Sequence, residues 1–120
     1  SKVMEPRQEL RKHLLNCHIA GFTYHDGCVV MDKLKIGAPL ELVREDYNKY
    51  DPLCVAVYYK DYKLGYIPKE KNVQLSAFLD MGYVDIFETR ICRIDPTEHT
   101  EHQVSINVYL KRKEHDSRNY

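Results

Sequence analysis

Along residues 103–110 apolar and polar positions alternate, placing Val104, Ile106, Val108 and Leu110 on one side. That period of two predicts a strand with one face on a core. Leu40, Leu42 and Arg44 against Glu41 and Val43 predict another, and residues 55–59 and 62–67 two more. Lys60-Asp61 separates that last pair as a two-residue hairpin turn, and Pro68 ends the ladder behind it. Residues 18–24 read as a strand interrupted by Gly21, a sign of a bulge or a close backbone approach. Residues 83–94 form a long strand-like run. A helical period appears in two places. Over 71–81, Val73, Ala77, Phe78 and Met81 share a face, Asn72 can cap and Gly82 can stop the helix. Over 4–16, Leu10 and Leu14, joined by Met4 or Arg7, form one stripe, and Pro6 suits a first turn. Residues 28–36 are open between a short helical turn and irregular structure.

About six strands with one helix between the fourth and fifth predict a mainly β fold. The expected form is a small six-stranded barrel of the OB-like or SH3-like kind, with one internal helix and an N-terminal helix. Closure would also remove the edge strands of so small a domain. The expected organisation is a helical extension over 1–17, a β domain over 18–110 and a charged tail over 111–120. A length of 120 residues fits one domain with a true core.

Composition narrows the functions. Hydrophobic residues at 43% and charged residues at 30% fit a folded, water-soluble chain. No apolar run approaches the roughly 20 residues that span a bilayer. The opening Ser1-Lys-Val-Met-Glu-Pro-Arg7 leads into no signal-like stretch, so a cytoplasmic location is expected. Eighteen basic and eighteen acidic side chains cancel. Neutrality argues against bulk coating of nucleic acid but not against a site needing two or three cations. Cys17, Cys28, Cys54 and Cys92 are widely spaced without a C-x-x-C pair, so free thiols are expected rather than disulfides. The His99-Thr-Glu-His102 pair lacks the short ligand spacings of a structural zinc site. Nucleotide-loop, dinucleotide and H-E-x-x-H motifs are absent. No enzyme, metal or cofactor is expected.

The chemistry concentrates in one turn, Arg44-Glu-Asp-Tyr-Asn-Lys-Tyr-Asp-Pro-Leu-Cys54. Asp46, Asn48, Asp51 and Pro52 explain a turn. They do not explain Tyr47, Tyr50, Arg44 and Lys49 beside them. Tyr24, at the expected end of the first strand, and Tyr66 with Lys69, after the fourth, would reach a barrel end with that turn. Rings interleaved with cations suit single-stranded nucleic acid, with stacking on bases and charge on phosphates. Asp51 would repel a passing phosphate but could accept a hydrogen bond from a terminal hydroxyl.

Ala20-Gly-Phe-Thr-Tyr24, Leu42-x-Arg44, Asn48-x-Tyr50-Asp51-Pro-x-Cys-Val-Ala-Val57 and Gly65-Tyr-Ile-Pro-Lys-Glu70 match the HIRAN domain family in order and spacing. The resemblance covers about residues 18–110. It implies a β-barrel related to the oligonucleotide-binding fold, found alone in bacteria and phages and at the N-terminus of eukaryotic fork-remodelling helicase-like proteins. It also implies a role in DNA repair through capture of the 3′-hydroxyl end of single-stranded DNA. On that resemblance Tyr50 stacks on the terminal base, Asp51 meets the 3′-hydroxyl, Asn48 and Tyr24 frame the pocket, and Lys69 meets a phosphate. Arg44 is a further phosphate contact or braces the turn. Tyr66 stands where the helicase-linked members have a histidine, and Thr23 where they place a phosphate-binding arginine. The second stacking phenylalanine has no counterpart, and residues 95–102, which should supply it, are acidic. A second reading is a protein-interaction module docking a partner through a strand edge or the N-terminal helix. Oligomeric state is left open.

Overall fold

The computed structural model describes residues 10–113. Its strands are β1 (Arg11–His18), β2 (Pro39–Arg44), β3 (Val55–Tyr59), β4 (Tyr62–Tyr66), β5 (Phe87–Ile94) and β6 (Val104–Lys111). Two α-helices join them, a short α1 (Gly27–Val30) and α2 (Val73–Asp80). All six strands lie in one antiparallel sheet in the order β1-β6-β5-β2-β3-β4. The fold is mainly β, as the alternation predicts, and OB-like. No helix among the described residues is long and apolar enough to cross a membrane.

The sheet does not close into the expected barrel. The chain just beyond β1 meets the end of β4 at an isolated bridge, where Ala20 N donates to Tyr66 O at 2.8 Å and Tyr66 N to Ala20 O at 2.9 Å. The ladder stops there because Gly21, at φ 70°, turns the chain into a 3-10 turn, Phe22–Tyr24. The strand expected over 18–24 is therefore confined to its first residues. The close approach that glycine signals is made at Gly65. Its φ is +150°, and a Cβ there would overlap the Ala20 carbonyl oxygen.

The N-terminal helix is also corrected. Residues 4–9 of it lie outside the described residues, and from Arg11 onward the chain is β1, paired with β6 from Arg11↔Lys111 to His18↔Ser105. The deciding pattern is the alternation of Leu15, Cys17 and Ile19, of which Cys17 and Ile19 are buried. Pairing with β6 satisfies both backbones, and that tertiary gain overrides the helical spacing of Leu10 and Leu14. β5 begins only at Phe87, so the first part of the run over 83–94 is turn.

α2 forms where the sequence places it but packs a different face. Leu75, Ser76 and Leu79 are buried, with Asn72 ahead of them, while Val73 and Met81 are 61% and 73% exposed. Asn72 occupies the capping position without capping, its side chain being drawn elsewhere. The core between sheet and helices holds Ile19, Phe22, Val55, Val57, Leu64, Leu75, Ile106 and Val108, all fully buried. The four cysteines are free, with Cys17 and Cys54 buried and Cys28 exposed.

Candidate nucleic-acid interface

The turn between β2 and β3 is built by its own polar side chains. Glu45 N donates to Cys54 O at 3.0 Å and Asn48 N to Glu45 O at 3.1 Å. Asn48 Oδ1 accepts from Tyr50 N at 2.9 Å and Asp51 N at 3.1 Å, and Asp51 Oδ1 accepts from Leu53 N at 3.0 Å. Asn48 is thus the inner brace of the turn, the work an Asx side chain does best. A second brace comes from outside. Asn72 Nδ2 donates to Asp51 Oδ2 at 2.8 Å, tying the turn to the start of α2.

Arg44 braces from the other side. Its guanidinium donates to Asp80 Oδ1 at 2.7 Å, Cys54 O at 2.8 Å and Pro52 O at 2.9 Å. The hydrogen bond to Asp80 outweighs the cost of burial and holds Arg44 above its ordinary pKa. The group is largely withdrawn from solvent, with its side chain 13% exposed.

Two aromatic rings stand free on this scaffold. Tyr50 is 82% exposed and Tyr47 78% exposed. The Lys49 ammonium lies 5.4 Å from the Tyr50 ring centroid. Exposed rings on an internally bonded turn lose little entropy when they bind. Tyr24, also 82% exposed, sits at the end of the 3-10 turn that abuts β4. Lys69 is exposed on a second 3-10 turn, Lys69–Lys71, directly ahead of Asn72.

Tyr66 joins these parts from within. Its hydroxyl accepts from Lys63 Nζ at 3.1 Å and donates to Glu45 Oε1 at 3.2 Å, and its ring meets the His25 ring edge-on at 5.1 Å. Lys63 also forms an ion pair with Glu45, which is only 2% exposed. Burial pushes the Glu45 carboxyl up, but the Lys63 ammonium, Asn48 and Tyr66 outweigh it and leave the group below its ordinary value. Burial likewise pulls Lys63 down, and Glu45 with Tyr66 overcomes that, so its ammonium is held well above the ordinary lysine range. The Tyr66 hydroxyl is raised, by burial first.

Tyr66, Glu45, Asn48, Asp51 and Asn72 therefore form one hydrogen-bonded line, and Lys69 lies on the 3-10 turn just ahead of Asn72. Tyr24 is not part of that line; its 3-10 turn is tied to Gly21, which lies beside His25 and Tyr66. Glu45, Lys63, Asn72 and Asp80 are missing from the sequence-predicted site. Glu45 looks like a solvated turn acid, and Asn72 like a helix cap. Nothing local marks either as buried, because the Lys63 and Asp51 side chains that pair with them lie 18 and 21 positions away.

A family model for the HIRAN domain matches residues 12–113. Among solved structures, the chain is similar to a protein from Lactobacillus plantarum, at 23% identity and a TM-score of 0.70. That alignment covers 85% of this chain and 97% of the other. It is also similar to the HIRAN domain of human HLTF, at 17% identity and a TM-score of 0.58, over 88% of this chain and 84% of that one. At these identities the two structures speak for the fold. Comparison with curated protein sequences gives no match.

Proposed function

The chain belongs to the HIRAN domain family, and from that membership we propose that it is a non-enzymatic module that seats the 3′ end of single-stranded DNA on the turn between β2 and β3. The family is known for binding single-stranded DNA ends and consists of binding domains, not catalytic ones. The observation that carries the reading is the pairing of the exposed Tyr50 ring with the adjacent Asp51 carboxylate, held from behind by Asn72.

Each part has a task. The terminal base stacks on Tyr50, a contact contributing about 1–3 kcal/mol. Each Asp51 oxygen accepts one hydrogen bond within the protein and retains a second lone pair. One of these accepts the 3′-hydroxyl proton donor. A 3′-phosphate in the same place would set anion against anion, so the same atom rejects an occupied end. Lys69 meets a backbone phosphate, Tyr24 and Asn48 frame the pocket, and Tyr66 supports the turn from below. Arg44 acts as a positioning residue, since its hydrogen bonds go to the turn and Asp80.

Fluorescence anisotropy with short oligonucleotides ending in a 3′-hydroxyl, a 3′-phosphate or a blocked sugar tests this directly. The hydroxyl end should bind tightest and the phosphate end weakest. Equal affinity for all three, or none for any, would sink end capture. Docking of a protein partner remains the second reading through the outer edge of β1, which lies at the end of the sheet. A helix over Arg11–His18 is no longer available for it, since those residues are strand.

A further inference from the structure

Beyond the Lys69–Lys71 turn opens a cleft of about 400 Å³, of which the reading above uses only Lys69. Its lining brings together Lys69, Glu70, Lys71, Glu101, His18 and His102. With both imidazoles neutral, two lysines and two glutamates cancel. A proton taken up by either histidine therefore gives a neutral cleft a positive charge.

The two imidazoles are held against each other. Their rings stack with centroids 4.5 Å apart and planes 30° apart. His18 Nδ1 shares a 2.8 Å hydrogen bond with the hydroxyl of Ser105, a buried β6 residue. His102 sits on the 3-10 turn Thr100–His102, with His99 tilted against it at 5.8 Å. Two protonated rings at stacking distance repel each other. Burial holds His18 below its ordinary pKa, and His102, Arg93 and Lys71 add to that, against the opposing pull of Glu98. Two of the other charges are partly committed. Glu101 Oε2 accepts from Gly21 N at 2.9 Å, and Lys71 Nζ donates to Asn16 O at 2.9 Å. Cys17, also in the lining, stays a neutral thiol because burial pushes it up to about 11. An anion entering this cleft would relieve the repulsion between the rings, so its binding and their protonation favour one another.

We propose that this cleft binds a phosphodiester of the captured strand, and that His18 and His102 strengthen the site by taking up a proton together with the ligand. The proposal rests on the strand-end reading, because Lys69 lines the cleft and lies on the 3-10 turn directly ahead of Asn72, which holds Asp51. It makes binding by this chain tighten as pH falls through the histidine range.

Two measurements separate this claim from end capture. In the first, imidazole proton NMR on the full wild-type chain follows each histidine from about pH 8 to about pH 5, with and without inorganic pyrophosphate. Saturating pyrophosphate should raise the midpoints of His18 and His102 together, while His13, outside the cleft, stays put. Unmoved midpoints at both would overturn the site. In the second, affinity for a 3′-hydroxyl oligonucleotide should rise on acidification by up to about tenfold per pH unit for each proton bound. The double variant His18→Gln/His102→Gln should lose that slope. A flat wild-type profile, or a slope retained in the variant, overturns the proposal and leaves end capture standing. Midpoints shifted by pyrophosphate with no oligonucleotide binding at any pH remove end capture and support the anion site alone.

Discussion

In the proposed complex Asp51 divides its carboxylate between fold and ligand. Oδ1 holds the turn through Leu53 N, Oδ2 holds Asn72, and a lone pair on each faces no donor within those two bonds. Asp51→Asn keeps an oxygen for one of them and removes the charge. It should therefore reduce the preference for a 3′-hydroxyl over a 3′-phosphate, as read from the ratio of the two affinities. Tyr50→Ala should weaken binding by about 1–3 kcal/mol, whereas Tyr50→Phe keeps the stacking face and should bind nearly as the wild type does. Unchanged affinity in Tyr50→Ala, measured by anisotropy, would move the pocket elsewhere. Tyr50, Asp51 and Asn48 were legible in the sequence because turn chemistry is local: an Asx residue binds backbone two or three positions away. Glu45, Lys63 and Asn72 were not, because a buried charge is defined by a partner that only the folded sheet supplies.

At the level of elements, β4 carries more than its own ladder. It brings Lys63 and Tyr66 under the turn and passes its Gly65 beneath Ala20. Gly65→Ala places a side chain on a carbonyl oxygen at a backbone angle that L residues rarely adopt. It should cost about 2 kcal/mol or more in urea denaturation. Glu45→Gln preserves shape but leaves the half-buried Lys63 without its counter-ion, an expected loss of about 1–3 kcal/mol by the same measurement. β6 is readable because its alternation is nearly strict, and β2, β3 and β4 because short apolar and aromatic runs are bounded by turn residues such as Lys60-Asp61 and Pro68. β1 was not, since Leu10 and Leu14 carry a helical stripe into it and alternation appears only from Leu15 through Cys17 to Ile19 just beyond it. α2 was placed correctly and faced wrongly. Its buried face includes the polar Ser76 behind Asn72, and its apolar Val73 and Met81 point outward.

For the whole molecule, zero net charge limits how much salt can act. With two or three phosphate contacts, the slope of log affinity against log salt should be only about −2. A slope near zero would favour the protein-docking reading. The Glu45–Lys63 pair shapes the outer limbs of the stability profile. Glu45 titrates below its ordinary 4.5 in the folded state, so its contribution is complete above that value and lost as pH falls further. Lys63, raised above its ordinary 10.5, contributes fully below that value and loses its share only in stronger base. Thermal midpoints should be level only between the ordinary histidine value of 6.5 and the ordinary thiol value of 9.0, because burial depresses His18 and raises Cys17, and Glu45→Gln should flatten the part of the acid limb below 4.5.

The single bridge between Ala20 and Tyr66 gives the sheet a clasp that shares a residue with the site. Ligand pressing on the turn reaches Tyr66 through Glu45, and the Tyr66 backbone holds Ala20 by two hydrogen bonds. The amide protons of Ala20 and Tyr66 thus form a built-in gauge of occupancy. Their exchange with deuterated solvent should slow when a 3′-hydroxyl oligonucleotide is added, because each amide is already bonded to the other residue's carbonyl oxygen.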